Sequence, residues 1–319
     1  MKLSVQILLY PHCRETVALG CRDILADASD DIEVSLVSSN ESTEMNCGGV
    51  VVKCQHSLSN APKADIVVIP PFGRGRPANA IGEYEDLSRW LAKCKAKGSE
   101  ICALCTGNFL LAQSGVLNGT IPCTTHWMYE TSFEECFPNE NLQISETLID
   151  FQGIYSGGGA LSYLYMMLYL VQKFVGKEAA VEVSKLYLLP WPNLSQNVFM
   201  SFKENIEHGD APIESAQDYI RKNYPTPLRI AFLADLAGLG ERNFIHRFKK
   251  ATAVTPARYI QQVRIENAKR KLELTNLNVN EVMYSTGYND SKYFRMVFAR
   301  ITGMTPSDYK KRYQILRAS

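Results

Sequence analysis

Two groups of residues in this chain of 319 carry side chains fit for chemistry or recognition. The first is the run Ile101-Cys102-Ala103-Leu104-Cys105-Thr106-Gly107-Asn108-Phe109-Leu110-Leu111-Ala112. A strand-like stretch feeds into Cys105 and a helical pattern leaves at once. Such a tight turn exposes a side chain, and the backbone N–H groups after it can stabilise an anion. A helix N-terminus also predicts a lowered thiol pKa. Downstream, Thr124-Thr125-His126-Trp127 supplies an imidazole that can face the thiol. These residues leave several readings open: Cys/His nucleophilic catalysis, a buried structural Cys beside a hydrogen-bonded core His, or a sensor oxidised at Cys105. Cys102-x-x-Cys105 has the spacing of a metal or redox motif, but no second ligand pair stands at zinc spacing. No metal and no cofactor is expected.

The second group repeats. Gly240 to Tyr259 is echoed by Asp290 to Tyr309 at an offset of fifty. Phe244 falls on Phe294, Phe248 on Phe298, Thr252 on Thr302, Thr255-Pro256 on Thr305-Pro306 and Tyr259 on Tyr309. Upstream, Leu233 to Gly238 matches Val282 to Gly287 at forty-nine, so the second turn holds one extra residue. A short helix, a Gly turn and a second helix make a helix-turn-helix, and here there are two in tandem. Phe residues four apart face the core. That leaves Arg242, Asn243, His246 and Lys249 outward in the first copy, and Ser291, Lys292 and Arg295 in the second. A shared core with divergent outer faces suggests two reading heads for different base sequences; an ordinary solvated bundle is the plainer alternative.

Elements must position these residues. Between the copies, 256–274 reads as one helix with Pro at its first turn, spanning roughly 28 Å. That approaches the ~34 Å between successive major-groove faces of a duplex. Its Arg258, Arg264, Lys269, Arg270 and Lys271 alternate with Tyr259, Val263 and Ala268, which places the basic residues outward for phosphates. Earlier in the chain, strands are expected at 3–10, 32–38, 65–69 and 100–104, helices at 17–28 and 80–97, and a hairpin within 46–58. This alternation predicts an α/β domain with a mostly parallel sheet. Leu161 to Val171 is too short to span a bilayer, which needs roughly 20 residues. Helix is expected at 176–189, stopped by Pro190-Trp191-Pro192, and 208–212 reads as a hinge.

Charge separates the same two parts. From Ala211 onward 19 Lys and Arg stand against 9 Asp and Glu, net +10; the first 210 residues hold 15 against 24, net −9. A basic domain joined to an acidic one is the footprint of a DNA binder with a separate partner domain. Nine scattered cysteines, with no signal peptide, fit free thiols in a reducing cytosol. The expected domains are 1–208 for ligand sensing and dimerisation and 215–319 for DNA binding.

Two resemblances follow. Leu233 to Tyr309, with Pro-Ala-Arg-Tyr (256–259), Gly-Tyr-Asn-Asp-Ser (287–291) and Pro-Ser-Asp-Tyr (306–309), resembles the DNA-binding domain of AraC-family transcription regulators. That resemblance implies base contacts from Arg242, Ile245 and His246 in the first unit and from Ser291, Lys292, Arg295 and Met296 in the second. Ile245 and Met296 are apolar where relatives are often polar, so they imply van der Waals contact. Cys-Thr-Gly with its apolar helix, Leu117-Asn118-Gly119, Thr-Thr-His-Trp and Tyr155-Ser156-Gly157-Gly158 resemble the class I glutamine-amidotransferase-like superfamily, the PfpI relatives. The branch is the one fused to AraC-type domains, the GlxA-type regulators. It implies a flavodoxin-like sheet, with Cys105 at the elbow nucleophile. The sequence departs from that pattern: Thr106 stands where the proteases carry His. Val17 and Cys21 occupy the acid and Pro positions of an opening Asp-Leu-Ala-Gly-Pro run. The resulting expectation is a cytoplasmic regulator, a homodimer with no membrane segment, that binds double-stranded DNA. A small-molecule effector would bind at a vestigial catalytic pocket formed by Cys105, Thr106, His126 and Gly73. The alternative is a Cys-dependent hydrolase or amidase with a regulatory DNA-binding tail.

Overall fold

The apolar run near the start of the chain forms strand β1 (Leu3–Leu9), whose last five residues are buried. Covered on both faces, it reads as near-continuously apolar rather than alternating. The computed structural model describes residues 2–47, 49–73, 82–159, 161–189, 196, 199–200, 202, 204–206 and 208–314. After β1 come α1 (Glu15–Ala28), β2 (Ile32–Ser38), an antiparallel hairpin of β3 (Glu44–Cys47) and β4 (Val50–Lys53), β5 (His56–Ser57) and β6 (Ile66–Ile69). Then follow α2 (Glu85–Ala96), β7 (Glu100–Leu104), α3 (Asn108–Gln113), β8 (Pro122–Cys123), α4 (Glu130–Cys136) and β9 (Asn141–Leu142). The antiparallel pair β10 (Leu148–Phe151) and β11 (Ile154–Gly157) leads into α5 (Ser162–Phe174) and α6 (Lys177–Leu186).

Seven strands form one sheet in the order β10-β11-β7-β6-β1-β2-β5, parallel except for β10. Val5 of β1 faces Val34 on one side and Ile66 on the other. The chain steps from β1 to β2 on one side and later resumes at β6 on the other. The direction of winding therefore reverses between β1 and β6, and in open α/β sheets the crevice at the carboxyl ends of such strands is where ligands bind. The expected α/β architecture is the one observed. The second helix begins at Glu85 rather than 80, with 80–81 outside the described residues, as are Arg74, Gly75 and Pro190-Trp191-Pro192. The hairpin ends at Lys53, and His56-Ser57 pairs with β2 instead.

Packing divides the chain into Met1–Gln196 and Asn197–Ser319. The second unit is helical: α7 (Ala211–Asn223), α8 (Ile230–Leu236), α9 (Glu241–Thr252), α10 (Pro256–Leu274), α11 (Val279–Ser285), α12 (Ser291–Thr302) and α13 (Pro306–Gln314). Helix α10 touches α7 and α9 of the first half and α11, α12 and α13 of the second. Among the described residues, no helix is long and apolar enough to cross a membrane.

Candidate functional site

Loops leaving β1, β6 and β7 meet at the carboxyl edge of the sheet. Tyr10, just past β1, is enclosed and donates its hydroxyl to Pro70 O at 2.5 Å. Its ring packs edge-on against Phe72, with centroids 5.0 Å apart. Gly73 N–H donates to His12 O at 2.7 Å, and the Thr106 hydroxyl reaches Phe72 O at 3.4 Å. Between these loops, Cys105 takes φ +53°, a left-handed conformation that costs a non-glycine residue roughly 1–3 kcal/mol. Asn108, fully buried, holds the turn in place. Its amide donates to Ala103 O, Cys105 O and Gly157 O at 3.0–3.2 Å, and its Oδ1 accepts from the Ser156 hydroxyl at 2.7 Å. The Thr125 hydroxyl adds a bond to Cys105 O at 3.0 Å. A Cβ at Gly107 would lie 2.7 Å from both Ile69 O and Pro70 O, so only glycine fits there.

The elbow is therefore built as expected, but its electrostatics differ. Burial pushes the Cys105 thiol up to about 11, and the opposing pull of the Thr106 N–H and hydroxyl, with the Arg14 charge, does not overcome it. The expected lowering by the helix N-terminus is lost to desolvation, the larger effect once a thiol is enclosed. His126 caps the short 3-10 turn Trp127–Tyr129, its Nδ1 accepting from Met128 N–H at 3.1 Å, with its ring against Trp127 and Tyr129. Nothing in the sequence around Gln196 marks it for this site. Buried, its amide donates to Thr125 O and Ile144 O at 2.9 Å, closing the Thr124–His126 loop from beneath.

In the helical unit the repeat is reproduced bond by bond. Thr252 Oγ1 donates to Phe248 O at 2.7 Å and Thr302 Oγ1 to Phe298 O at 2.8 Å. Tyr259 packs edge-on to Phe248 at 5.3 Å and Tyr309 to Phe298 at 5.4 Å. Phe244, Phe248, Phe294 and Phe298 are all fully buried. On the opposite faces Arg242, Asn243, Ile245, His246 and Lys249 of α9 are exposed, as are Lys292, Arg295 and Met296 of α12, with Ser291 half-buried. Asp290 caps α12 by accepting from Tyr293 N–H at 2.8 Å.

The strut differs from its expectation. Lys269 is 4% exposed and donates to Met200 O at 2.6 Å and to Glu266 at 3.0 Å. Lys271 donates to Ser285 O at 3.1 Å, and Arg264 to Tyr224 O and Thr226 O at 2.8 Å. These cations tie helices together rather than face phosphates; Arg258 and Arg270 stay exposed. Of the expected hinge at 208–212, His208 and Asp210 are tied to the first half of the helical unit, as are Phe202 and Glu204 before it. Phe202 stacks edge-on with Tyr259 at 5.4 Å, and Glu204 accepts from the Tyr259 hydroxyl and from Arg221. His208 Nε2 bonds Gln217 Oε1 at 2.8 Å, while Asp210 caps α7 and holds Arg247 at 2.8–3.0 Å.

Comparison with known proteins accords with both halves. Residues 4–150 match the DJ-1/PfpI family and residues 233–312 a helix-turn-helix domain. The HTH-type transcriptional regulator GlxA of Rhizobium meliloti is 26% identical over 70% of this chain and 68% of its own length. An isonitrile hydratase of Pseudomonas putida is 24% identical over 56% of this chain and 75% of its own. In fold, a putative transcriptional regulator protein from Vibrio parahaemolyticus superposes on 58% of this chain and 99% of its own, with TM-score 0.53 and 22% identity. Residues 4–150 thus carry a DJ-1/PfpI domain and residues 233–312 a helix-turn-helix domain, the pairing of an AraC-type transcription regulator with an N-terminal PfpI-like domain.

Proposed function

We propose that this regulator reads DNA through Arg242, Asn243, Ile245, His246 and Lys249 of α9 and Ser291, Lys292, Arg295 and Met296 of α12. In this reading a small-molecule effector binds at the carboxyl-edge crevice beside Cys105, Thr106, His126 and Gly73. The observation that carries it is the paired geometry: two helices with matching buried stripes, each presenting a different polar and cationic face. The regulator acts in the cytoplasm as a homodimer, since one chain offers few base contacts and two-fold symmetry doubles them. The crevice binds rather than catalyses: a thiol held at about 11 is protonated at neutral pH and is a poor nucleophile.

A selection from randomised DNA, at two salt concentrations, tests the reading heads. An Arg in a major groove pairs with guanine O6 and N7, a contact carrying roughly 1–3 kcal/mol of discrimination. Arg295→Ala should relax preference at one or two bases of half the site, and Arg242→Ala at the other half. Arg270→Ala, on the exposed strut, should leave base preference intact. Unchanged preference in both helix variants would overturn the assignment. The hydratase similarity favours one second reading, a Cys105-dependent hydrolase or amidase. Turnover of an amide or ester that vanishes in Cys105→Ala would establish it. For the effector site, Cys105→Ala and His126→Ala should keep operator binding but alter the response to effector.

A further inference from the structure

Cys13 and Cys47 take no part in anything described so far. Cys13 lies on the loop after β1, bridged to Phe72, and Cys47 closes β3. Both are buried, and their sulfurs stand 3.5 Å apart, with the Cys13 thiol donating to Cys47. That donation holds the Cys47 thiol below its ordinary range, while the same contact and burial push Cys13 up. A disulfide needs about 2.05 Å between sulfurs, so closing the pair requires a shift of under about 2 Å. Among the described residues no group of three His, Cys, Asp or Glu could hold a metal ion, so the pair is not part of such a group there.

We propose that Cys13 and Cys47 are a redox pair, converted by a peroxide into an intramolecular disulfide. The Cys47 thiolate attacks one oxygen of hydrogen peroxide, forming a sulfenic acid and releasing hydroxide. The neighbouring Cys13 sulfur then displaces the sulfenic oxygen, which leaves as water with the Cys13 proton. Solvent protonates the hydroxide, so two thiols are oxidised and one peroxide is reduced to two waters. Access comes through the hairpin. Among the described residues β3 and β4 form strand pairs with each other alone; Met45, Cys47 and Val52 face the core while Val50 and Val51 are exposed, so local opening of a hairpin held on one face admits a small oxidant. Disulfides of this kind are the transient, sensing sort in a reducing compartment. The bond would also stiffen one wall of the crevice. The loop bearing Cys13 is tied to the β6 loop by Arg14 N–H to Pro71 O at 2.8 Å and Gly73 N–H to His12 O at 2.7 Å.

Full-length protein exposed to hydrogen peroxide, quenched, unfolded, alkylated and mapped by mass spectrometry gives the test. A Cys13–Cys47 cross-linked peptide is expected, with two of the nine free thiols lost and both recovered with dithiothreitol. Cys105→Ser should retain the cross-link and Cys47→Ser should abolish it. The wild-type map alone decides the matter should a variant fail to fold. Any wild-type result in which Cys13 and Cys47 are not joined to each other overturns the proposal, whether both remain alkylated or another cysteine is oxidised instead.

Discussion

Ala253 and Gly303 occupy the same place in the two copies, one residue past α9 and α12, and both have positive φ, 62° and 78°. For an L-residue the left-handed region costs roughly 1–2 kcal/mol, which glycine avoids. Ala253→Gly should therefore stabilise the chain by about 0.5–1 kcal/mol in urea unfolding, despite the entropy glycine adds to the unfolded state. Gly303→Ala should destabilise it by about 1 kcal/mol. Equal and small effects at both sites would mean the strain is relieved elsewhere. Gly107 is a stricter case. Its added Cβ would meet two carbonyl oxygens at 2.7 Å, and both belong to backbone. Gly107→Ala should lower the Tm by several degrees and displace Cys105, whereas Thr106→Ser should be nearly silent. A crystal structure of Gly107→Ala with the elbow unmoved would sink this.

At the scale of elements, periodicity was a good guide wherever burial is one-sided or complete. Residues 32–38, 100–104 and 256–274 form the very elements their patterns suggest. The α9 and α12 faces were legible because Phe residues four apart fix which side is buried, and the rest follows by helical geometry. What pattern does not carry is competition between effects at one atom. The elbow's position was readable from strand-then-helix chemistry, but the thiol's protonation depends on how deeply surrounding loops cover it. Likewise residue type alone places Lys269 outward, since lysine is rarely enclosed. It is buried because Met200 O and Glu266 satisfy its ammonium, and Met200 is 69 residues away in sequence. Lys269→Met, which keeps the stem and removes the charge, should be tolerated far better than Lys269→Ala. The two should differ by about 1 kcal/mol or more in unfolding free energy, a difference set by packing.

For the whole molecule, the question is where one unit ends. Gln217 is fully buried and spends its amide on Asn205 O and Tyr259 Oη, and its carbonyl on His208. Cutting at 211 strips away Asn205 and His208, which leaves the carbonyl without its partner and the amide with Tyr259 Oη, at roughly 1–3 kcal/mol for a buried polar atom left unpaired. We expect a 197–319 fragment to bind DNA with steep salt dependence, because the net positive charge resides there. A 211–319 fragment should bind the same half-site but melt on the order of 5–15 °C lower. Equal melting temperatures would show that 197–210 is dispensable to the fold.

The two buried tyrosines have one more consequence. Tyr309 finds its carboxylate at Glu273, on the helix that already joins the repeats, whereas Tyr259 finds its own at Glu204, upstream of the repeats altogether. The copies are thus alike in side chain and unlike in provenance: the second draws its carboxylate from the helix between the repeats, the first from a residue before them. A recombination junction that grafts these reading heads onto a foreign sensor should lie before residue 200. Chimeras spliced at the start of α7 would keep both reading helices but leave the first without its carboxylate, and their lowered stability would be misread as a fault of the foreign sensor.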